Sequence, residues 1–291
     1  MGVGADRAVS LRTGELPPIP ERLPAPGALD AHTHLDACGA TDPAGVRAML
    51  DRAGQAGIGR VITVADDLTS ARWAVQAATW DDRVFAAVAL HPTRTSRFTD
   101  HDRATLKALA THPRVVAVGE TGLDYYWDYS TPDDQRAAFR WHIELAKQVD
   151  KPLMIHDRDA HDDVLSILAD EGPPETVVFH SYSGDPAMTQ RCVAAGYVLS
   201  FSGTATFRNA PALRESAALV PDGQLLVETD APFLTPHPFR GRPNEPYCAA
   251  YTVRVLAELR GVSDTEFCKV LRDTAERVFG LDRSAQSEHP M

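Results

Sequence analysis

Two histidines, His32 and His34, are the residues of this chain best suited to chemistry, and they lie in the segment DAHTHLD, residues 30–36. This segment stands at the end of a short apolar run of strand length. In an extended strand, side chains two positions apart point to the same face. Two imidazoles on one face can hold one divalent ion, so the pair predicts a metal site. Two surface histidines beside a turn are the alternative, because the motif alone is short.

The elements that must position these histidines form a repeating pattern. Apolar runs of strand length, rich in β-branched residues, occur at 28–32, 61–65, 84–90, 115–119, 153–156, 176–179, 197–201 and 225–228. Between them, stretches such as 43–57, 133–148, 162–170 and 186–196 have apolar residues at helical spacing. Alternating strands and helices predict parallel pairing, and eight units predict an α/β fold, a single-domain (β/α)8 TIM barrel. A doubly wound sheet is the alternative, although the chain has no Walker loop or GxGxxG motif.

In such a barrel, chemistry collects at the carboxyl ends of the strands. The predicted strands end in a coherent set of side chains, namely His32 and His34, His91, Glu120, His156, His180, and Glu228 with Asp230. Histidines and carboxylates from separate strands predict a binuclear metal site. Each residue also has a structural alternative: His156 and His180 as ordinary buried histidines, Glu120 and Asp230 as helix caps, and His91 as a loop residue. Asp66, Asp67 and Ser202, at the ends of strands two and seven, are expected to be bystanders.

The composition indicates one globular domain. The chain has 291 residues, of which 44% are hydrophobic and 24% charged, so it can bury a large core. We predict a Pro-rich N-terminal extension at 1–27, the barrel at 28–283 and a C-terminal tail at 284–291. The first 27 residues resemble no signal peptide or membrane span, and the four cysteines include no CxxC pair. A cytoplasmic protein with reduced thiols and no membrane partner is therefore expected. The net charge of −11 argues against tight, nonspecific binding of duplex nucleic acid.

The chain resembles the TatD-like metal-dependent hydrolases (the TatD DNase family), which are relatives of the amidohydrolase barrels. The resemblance runs from about Leu29 to Leu281 and rests on DAHTHLD, ALHP, VGETGLDYY, IHDRDAHDDV, FHSYSG and ETDAPFLTPHPFRGRPNEP, in the family's order. It implies one divalent ion held by four side chains, those of His32, His34, Glu120 and Asp230. It implies a second ion held by His156 and His180, with Glu120 bridging the two ions.

The resemblance also implies substrate contacts, made by His91 and by the loop that contains Arg242, Asn244 and Glu245. The chain departs from the family pattern at three positions: Thr274 replaces the usual Asn, and Ser181 and Tyr182 replace the usual Cys and Phe. None of the departures falls on an implied ligand.

The implied site suits hydrolysis. Two divalent ions about 3.5 to 4 Å apart can generate a metal-bound hydroxide at neutral pH and stabilise the attacking and leaving oxygens of a phosphodiester. Asp230 is the expected general base, because nearby cations keep it ionised. Glu120 is the expected bridge between the ions. Many binuclear amidohydrolases carry a carbamylated lysine at this position, so the glutamate argues against a phosphotriesterase-like enzyme. The residue types leave the metal open among Zn, Mn, Mg, Fe and Ni.

The loop GLDYYWDYS predicts how a nucleic acid would be held. Its aromatic residues, Tyr126 above all, lie near the predicted mouth, where aromatic faces stack bases at about 1 to 3 kcal/mol each. Packing at the rim is the alternative role for these rings. Several arginines in loops on the same side can pair with phosphates, namely Arg158, Arg208, Arg240 and Arg242.

The family resemblance implies a nuclease, so we expect 3′ to 5′ exonuclease-type hydrolysis of single-stranded or frayed DNA. The alternatives are a metal-dependent amide or ester hydrolase, such as a D-aminoacyl-tRNA deacylase, and a metal-binding barrel without enzymatic activity. Which end of the strand is cut and the oligomeric state stay open at this stage.

Overall fold

The computed structural model describes residues 14–281, and within them eight parallel strands form a barrel. The strands are β1 (Ala28–Thr33), β2 (Ile58–Val64), β3 (Val84–Ala87), β4 (Val115–Asp124), β5 (Leu153–Arg158), β6 (Val177–Phe179), β7 (Val198–Phe201) and β8 (Leu225–Val227). Each strand pairs with the next in chain order, and a parallel bridge between Thr33 and Ala231 brings the end of β8 back to β1. The predicted TIM barrel is confirmed. The doubly wound alternative is wrong, because the strand order never reverses.

Helices on the outside of the barrel connect the strands. They are α1 (Pro43–Gln55), α2 (Leu68–Ala77), α3 (Asp100–Ala110), α4 (Pro132–Val149), α5 (His161–Glu171), α6 (Pro186–Ala194), α7 (Pro211–Leu219), α8 (Ala249–Arg260) and α9 (Asp264–Phe279). The chain encodes several helix starts directly. Asp42, Thr131 and Asp185 each accept a hydrogen bond from a backbone N–H of the first turn, and a proline follows each of them. The four helical stretches predicted from periodicity are confirmed.

The carboxyl ends of two strands differ from the prediction by three residues or more. The third strand ends at Ala87, before the predicted end at residue 90, whereas β4 continues to Asp124, beyond the predicted end at residue 119. The segment Gly119–Asp124 has the glycines and polar residues of a loop, yet Thr121 to Asp124 pair with Ile155 to Arg158 of β5 after a register shift. The additional length of β4 carries two carboxylates, Glu120 and Asp124, to the mouth, by which we mean the carboxyl ends of the strands and the loops that follow them.

The core has two layers. One lies between the strands and the outer helices, and the other fills the barrel with alternate strand side chains such as Ile62, Phe85 and Val178. The last helix closes the lower end of the barrel, since Val278 and Phe279 of α9 belong to the interior cluster. This lower end, opposite the mouth, is filled with apolar side chains. The polar residues at the carboxyl ends of the strands therefore face a separate opening at the mouth.

The described part of the predicted N-terminal extension lies against the barrel. The Tyr247 and Tyr251 hydroxyls donate to the carbonyls of Pro17 and Pro18, at 2.6 and 2.7 Å, and Leu23 is buried. Residues 1–13 and the predicted tail 284–291 lie outside the described residues, and the predicted boundaries stay predictions. Across residues 14–281, no helix combines the length and apolar character needed to cross a bilayer.

Candidate metal centre

The first of two ligand clusters at the mouth is formed by β1, β4 and the segment after β8. The Nε2 atoms of His32 and His34 lie 3.3 Å apart, and each is 3.6 Å from Glu120 Oε1. Asp230 Oδ1 lies 3.5 Å from His34 Nε2 and 3.8 Å from His32 Nε2. Asp230 has a φ of 53°, in the left-handed region, and its N–H donates to the carbonyl of His32. The backbone itself therefore turns this carboxylate toward the histidine pair. We call this cluster the first ion position.

The second cluster shares the same glutamate. His180 Nε2 and His156 Nδ1 lie 2.8 and 3.1 Å from Glu120 Oε2, and 3.2 Å from each other. Glu120 thus directs one oxygen to each pair of histidines. We call this cluster, made by His156, His180 and Glu120 Oε2, the second ion position. The structure brings all six predicted ligands together, while their binding of metal stays a prediction.

Each of the four histidines has a defined partner on its other ring nitrogen. His34 Nδ1 lies 2.9 Å from the carbonyl of Val64, and His32 Nδ1 lies 3.2 Å from Met154 Sδ. At the second position the partners are carboxylates, with His156 Nε2 3.0 Å from Asp124 Oδ2 and His180 Nδ1 3.3 Å from Glu228 Oε1. Such partners orient a metal-binding imidazole and fix which nitrogen faces the ion.

The sequence pattern does not single out Asp124, and it places Glu228 at the end of the eighth strand without naming it as a ligand. Asp124 was placed beyond the end of its strand, although the alternation of side chains along β4 puts residues 120, 122 and 124 on one face. Asp66, expected to be a bystander, lines the mouth with its Oδ1 3.9 Å from His34 Nδ1. Asp67, by contrast, caps α2, and Ser202 contacts Ser181 and Thr204.

The charges at the mouth depend on one another. Burial alone would lower the pKa of His34, but the carboxylates of Asp66, Asp230 and Glu120 raise it to about 10. Burial would raise the pKa of Glu120, yet His180, His91 and His32 hold it well below its usual range. The pKa of His32 is lowered, chiefly by burial and then by His180. Ionised carboxylates therefore sit among imidazoles whose nitrogens point at one another.

The donor set fits two divalent ions. Three sets of side chains that include Glu120 or His32 have ligand atoms within 4.8 Å of one another, and each set contains histidines and one carboxylate. Glu228 Oε2 is buried and has no hydrogen-bond partner in the described part of the chain, so a cation nearby would offset its charge. Imidazole nitrogen together with carboxylate oxygen suits Zn, Mn, Fe and Ni.

A cavity of about 700 Å³ opens above the two positions. Its walls combine ligands with larger side chains from the loops, including Trp127, Tyr129, Arg158 and Phe233. The guanidinium of Arg158 lies 3.8 Å from the centre of the Tyr126 ring, which places Tyr126 next to the cavity. We call Tyr126, Trp127 and Tyr129, which are 55, 42 and 54% exposed, the aromatic rim.

The predicted substrate contacts fall into two groups. His91 lines the cavity, with Nε2 3.9 Å from Glu120 Oε2 and Nδ1 2.7 Å from Thr93 Oγ1. Arg242, Asn244 and Glu245 are not among the residues that line it. Asn244 is buried and donates to the carbonyls of Thr229 and Phe233, at 3.1 and 2.5 Å. Glu245 accepts two hydrogen bonds from Arg52 at 2.7 and 2.9 Å.

These contacts brace the loop after β8. Arg242 is exposed, with its guanidinium 5.6 Å from the centre of the Phe239 ring. Contact of this loop with substrate stays a prediction, as does that of Tyr126.

The comparison with known proteins identifies the family. The model of the TatD related DNase family matches residues 29–280, the whole barrel apart from its first and last residues. This chain belongs to the TatD family. An uncharacterized metal-dependent hydrolase TatD of Mycobacterium tuberculosis is 57% identical over 258 residues, which cover 87% of this chain and 98% of that protein. The chain is therefore a metal-dependent hydrolase of this family.

Two other TatD proteins extend the comparison. A protein of Erwinia billingiae named 3′-5′ ssDNA/RNA exonuclease TatD is 36% identical over 241 residues, or 80% of this chain and 92% of that protein. The crystal structure of YjjV, a TatD homologue from Escherichia coli, superposes with a TM-score of 0.80 at 32% identity, covering 86% of this chain and 98% of that one. The three departures from the TatD pattern leave the six predicted ligands in place: Thr274 bonds to the carbonyl of Val270, Tyr182 to Thr189, and Ser181 to Glu228.

Proposed function

We propose that this protein is a two-metal phosphodiesterase that shortens single-stranded or frayed DNA from the 3′ end. The observation that carries the proposal is the position of Glu120, whose two oxygens lie 3.6 Å from His32 and His34 on one side and 2.8 to 3.1 Å from His180 and His156 on the other. A carboxylate shared in this way is the ordinary bridge between two ions.

His32, His34 and Asp230 would hold one ion and His156 with His180 the other, and Glu120 would offer one carboxylate oxygen to each. When bound, two divalent ions polarise the phosphate, lower the pKa of water and stabilise the attacking and leaving oxygens of the displacement. The four histidines would supply nitrogen donors once they release their protons, and their outer partners keep the second nitrogen of each ring occupied.

Asp230 is the proposed general base. Burial would raise its pKa, but the hydrogen bond with His34 and the charges of neighbouring histidines lower it, so the carboxylate is ionised at neutral pH. Since Oδ1 faces His32 and His34, Oδ2 is the atom left to accept the proton of the attacking water. Its backbone conformation holds the carboxylate at the mouth.

The substrate class is supported by the wall of the cavity. Trp127 and Tyr129 are stacked, with ring centres 5.6 Å apart and planes 24° from parallel, and both are exposed beside the ligand clusters. Unpaired bases stack on such rings. Arg158 lines the same cavity and offers a guanidinium for a phosphate. The names of the family and of the Erwinia billingiae relative point to the same class of substrate.

The test uses metal-free protein reloaded with Zn, Mn, Mg, Fe or Ni separately. Each form is assayed against single strands labelled at the 3′ or the 5′ end, against blunt duplex, D-aminoacyl-tRNA and simple esters. We expect a 5′-labelled strand to yield a descending ladder, and a 3′-labelled strand to release its label at once. Cleavage of the acyl substrates with no cut in DNA under any ion would instead show an amide or ester hydrolase.

A further inference from the structure

The two ion positions differ in where their negative charge lies. At the first position, two carboxylates, Glu120 and Asp230, face the ring nitrogens directly. At the second position, Glu120 is the one carboxylate among the described residues that does so. The outer partners show the opposite pattern. His32 and His34 have a thioether and a backbone carbonyl within hydrogen-bond distance, with the Asp66 carboxylate farther off at 3.9 Å from His34 Nδ1, whereas His156 and His180 have carboxylates at 3.0 and 3.3 Å.

We propose that Asp124 and Glu228 are positioning residues that retain the second ion, supplying from behind the imidazoles the charge that Asp230 supplies directly at the first position. This inference rests on the proposed function, because it requires two ions. A carboxylate behind a metal-binding imidazole raises its basicity and fixes its orientation, and removal of such a partner commonly costs 10- to 100-fold in metal affinity.

Asp124 is held rigidly for this role. It is 1% exposed, and its two oxygens have separate tasks. Oδ1 accepts the backbone N–H groups of Tyr126 and Trp127, each at 3.0 Å, while Oδ2 lies 3.0 Å from His156 Nε2. Because an ionised carboxylate only accepts hydrogen bonds, the Nε2–H of His156 donates to Asp124, which leaves Nδ1, 3.1 Å from Glu120 Oε2, as the nitrogen available to an ion once its proton is released. The same residue thereby fixes the start of the aromatic rim.

Glu228 holds His180 in the same manner from β8. It is 1% exposed, and its Oε1 lies 3.3 Å from His180 Nδ1 and 2.7 Å from the backbone nitrogen of Ser181, which donates to it. This pair of contacts directs His180 Nε2 toward Glu120. The buried Oε2 has no partner among the described residues, so the charge of Glu228 is not offset by a hydrogen bond there. A cation at the second position is the charge that would balance it.

The test measures metal binding, with Asp124→Asn and Glu228→Gln as nearly isosteric variants. Metal-free proteins are titrated with Zn²⁺ against a competing chelator, and bound metal is counted after dialysis at fixed free Zn²⁺. We expect the wild-type protein to bind two ions. Each variant should keep its first-ion affinity within about threefold and lose 10- to 100-fold for the second. With Co²⁺ in place of Zn²⁺, the absorption spectrum that the second equivalent produces should differ between each variant and wild type, whereas the spectrum that the first equivalent produces should be the same.

Two control variants separate positioning from general damage. Met154→Leu removes the group behind His32 and should leave the second ion's affinity unchanged. Asp163→Asn removes a carboxylate that accepts hydrogen bonds from Tyr125 and Arg136 outside the ligand clusters. It should leave the affinity for both ions unchanged. Thermal unfolding of the metal-free forms checks folding, and if one amide variant fails to fold, the other decides.

The possible outcomes are distinct. Wild-type protein that binds a single ion would overturn the two-metal function itself. Wild-type protein with two ions, together with variants of unchanged affinity, would overturn only the role of Asp124 and Glu228. An equal loss of affinity for both ions, or a similar loss in Asp163→Asn, would also overturn it. The effect would then come from the loss of a negative charge in general or from lower stability.

Discussion

Asp230 has the two properties that a general base beside cations needs: an ionised carboxylate and a position fixed by its backbone. Replacing it with asparagine keeps the shape and removes both the charge and the proton acceptor. We predict that Asp230→Asn lowers kcat by about 10²-fold to 10⁴-fold, the usual contribution of general acid–base catalysis, with little change in Tm. Single-turnover cleavage of labelled single-stranded DNA measures this effect. Near-normal turnover would show that a different group accepts the proton.

His34 makes metal binding sensitive to pH. In the protein alone its pKa is raised to about 10, so at pH 7 the ring is protonated and must lose its proton to bind an ion. We predict that metal binding releases protons at pH 7 and that affinity rises from pH 6 toward pH 10. Calorimetric titrations in buffers of different ionisation enthalpy measure the release. Asp66→Asn should reduce it, because Asp66 is the carboxylate that raises this pKa most, and zero release from wild type would contradict the prediction.

At the scale of elements, β4 is the strand on which the site depends, because it carries both Glu120 and Asp124. It packs against β5 closely at Gly122. This residue has a φ of 133°, and a Cβ there would lie 2.1 Å from the carbonyl oxygen of His156. Residues with a side chain rarely adopt that backbone conformation, and the carbonyl oxygen of His156 cannot move aside as a flexible side chain could. The two strands must therefore separate if any side chain is added.

We predict that Gly122→Ala lowers the free energy of unfolding by more than about 1 kcal/mol and reduces bound metal, since it displaces His156. Urea unfolding and metal content measure the two effects. Gly59→Ala in β2 is the matched control, because within residues 14–281 no atom outside Gly59 and its two neighbours lies within 4 Å of the Cβ it would add. Equal stability of the two variants would show that β4 and β5 tolerate the separation.

The barrel and its six converging side chains were predictable because they follow from local patterns. Apolar runs repeat in register with helices, and the polar residue that ends each run needs no knowledge of distant contacts. What could not be predicted depends on partners far apart in the chain. Asp124 meets His156 through a register shift, and Glu245 meets Arg52, 193 positions away. Asn244 and Glu245 have the residue types of substrate contacts, and only the fold shows that they bond to the protein itself.

At the scale of the whole molecule, net charge and substrate oppose each other. The chain carries a net charge of −11, so its field repels a nucleic acid, and attraction must come from the ions and a few arginines at the mouth. DNA affinity should therefore depend on metal. We predict weak binding of a fluorescent single strand to the metal-free protein and tight binding once ions are added. Fluorescence anisotropy at constant ionic strength measures the difference, and equal affinity would assign binding to the protein surface instead.

The aromatic rim should then decide which DNA is preferred. Its rings are exposed beside the cavity, and a base must leave the duplex to stack on them. We predict that single-stranded ends are cut faster than blunt duplex, and that Tyr126→Ala or Trp127→Ala raises KM for the strand about tenfold, the equivalent of one lost stacking contact. A small phosphodiester, which reaches the ions without contacting the rim, should be cut by these variants almost as well as by wild type.

Leu219→Ala changes an exposed apolar residue that does not line the cavity. It is the control and should alter the cleavage of neither substrate. Equal losses on DNA and on the small substrate would mean that the rings support the site by packing, with Tyr126 acting through Arg158 on its face.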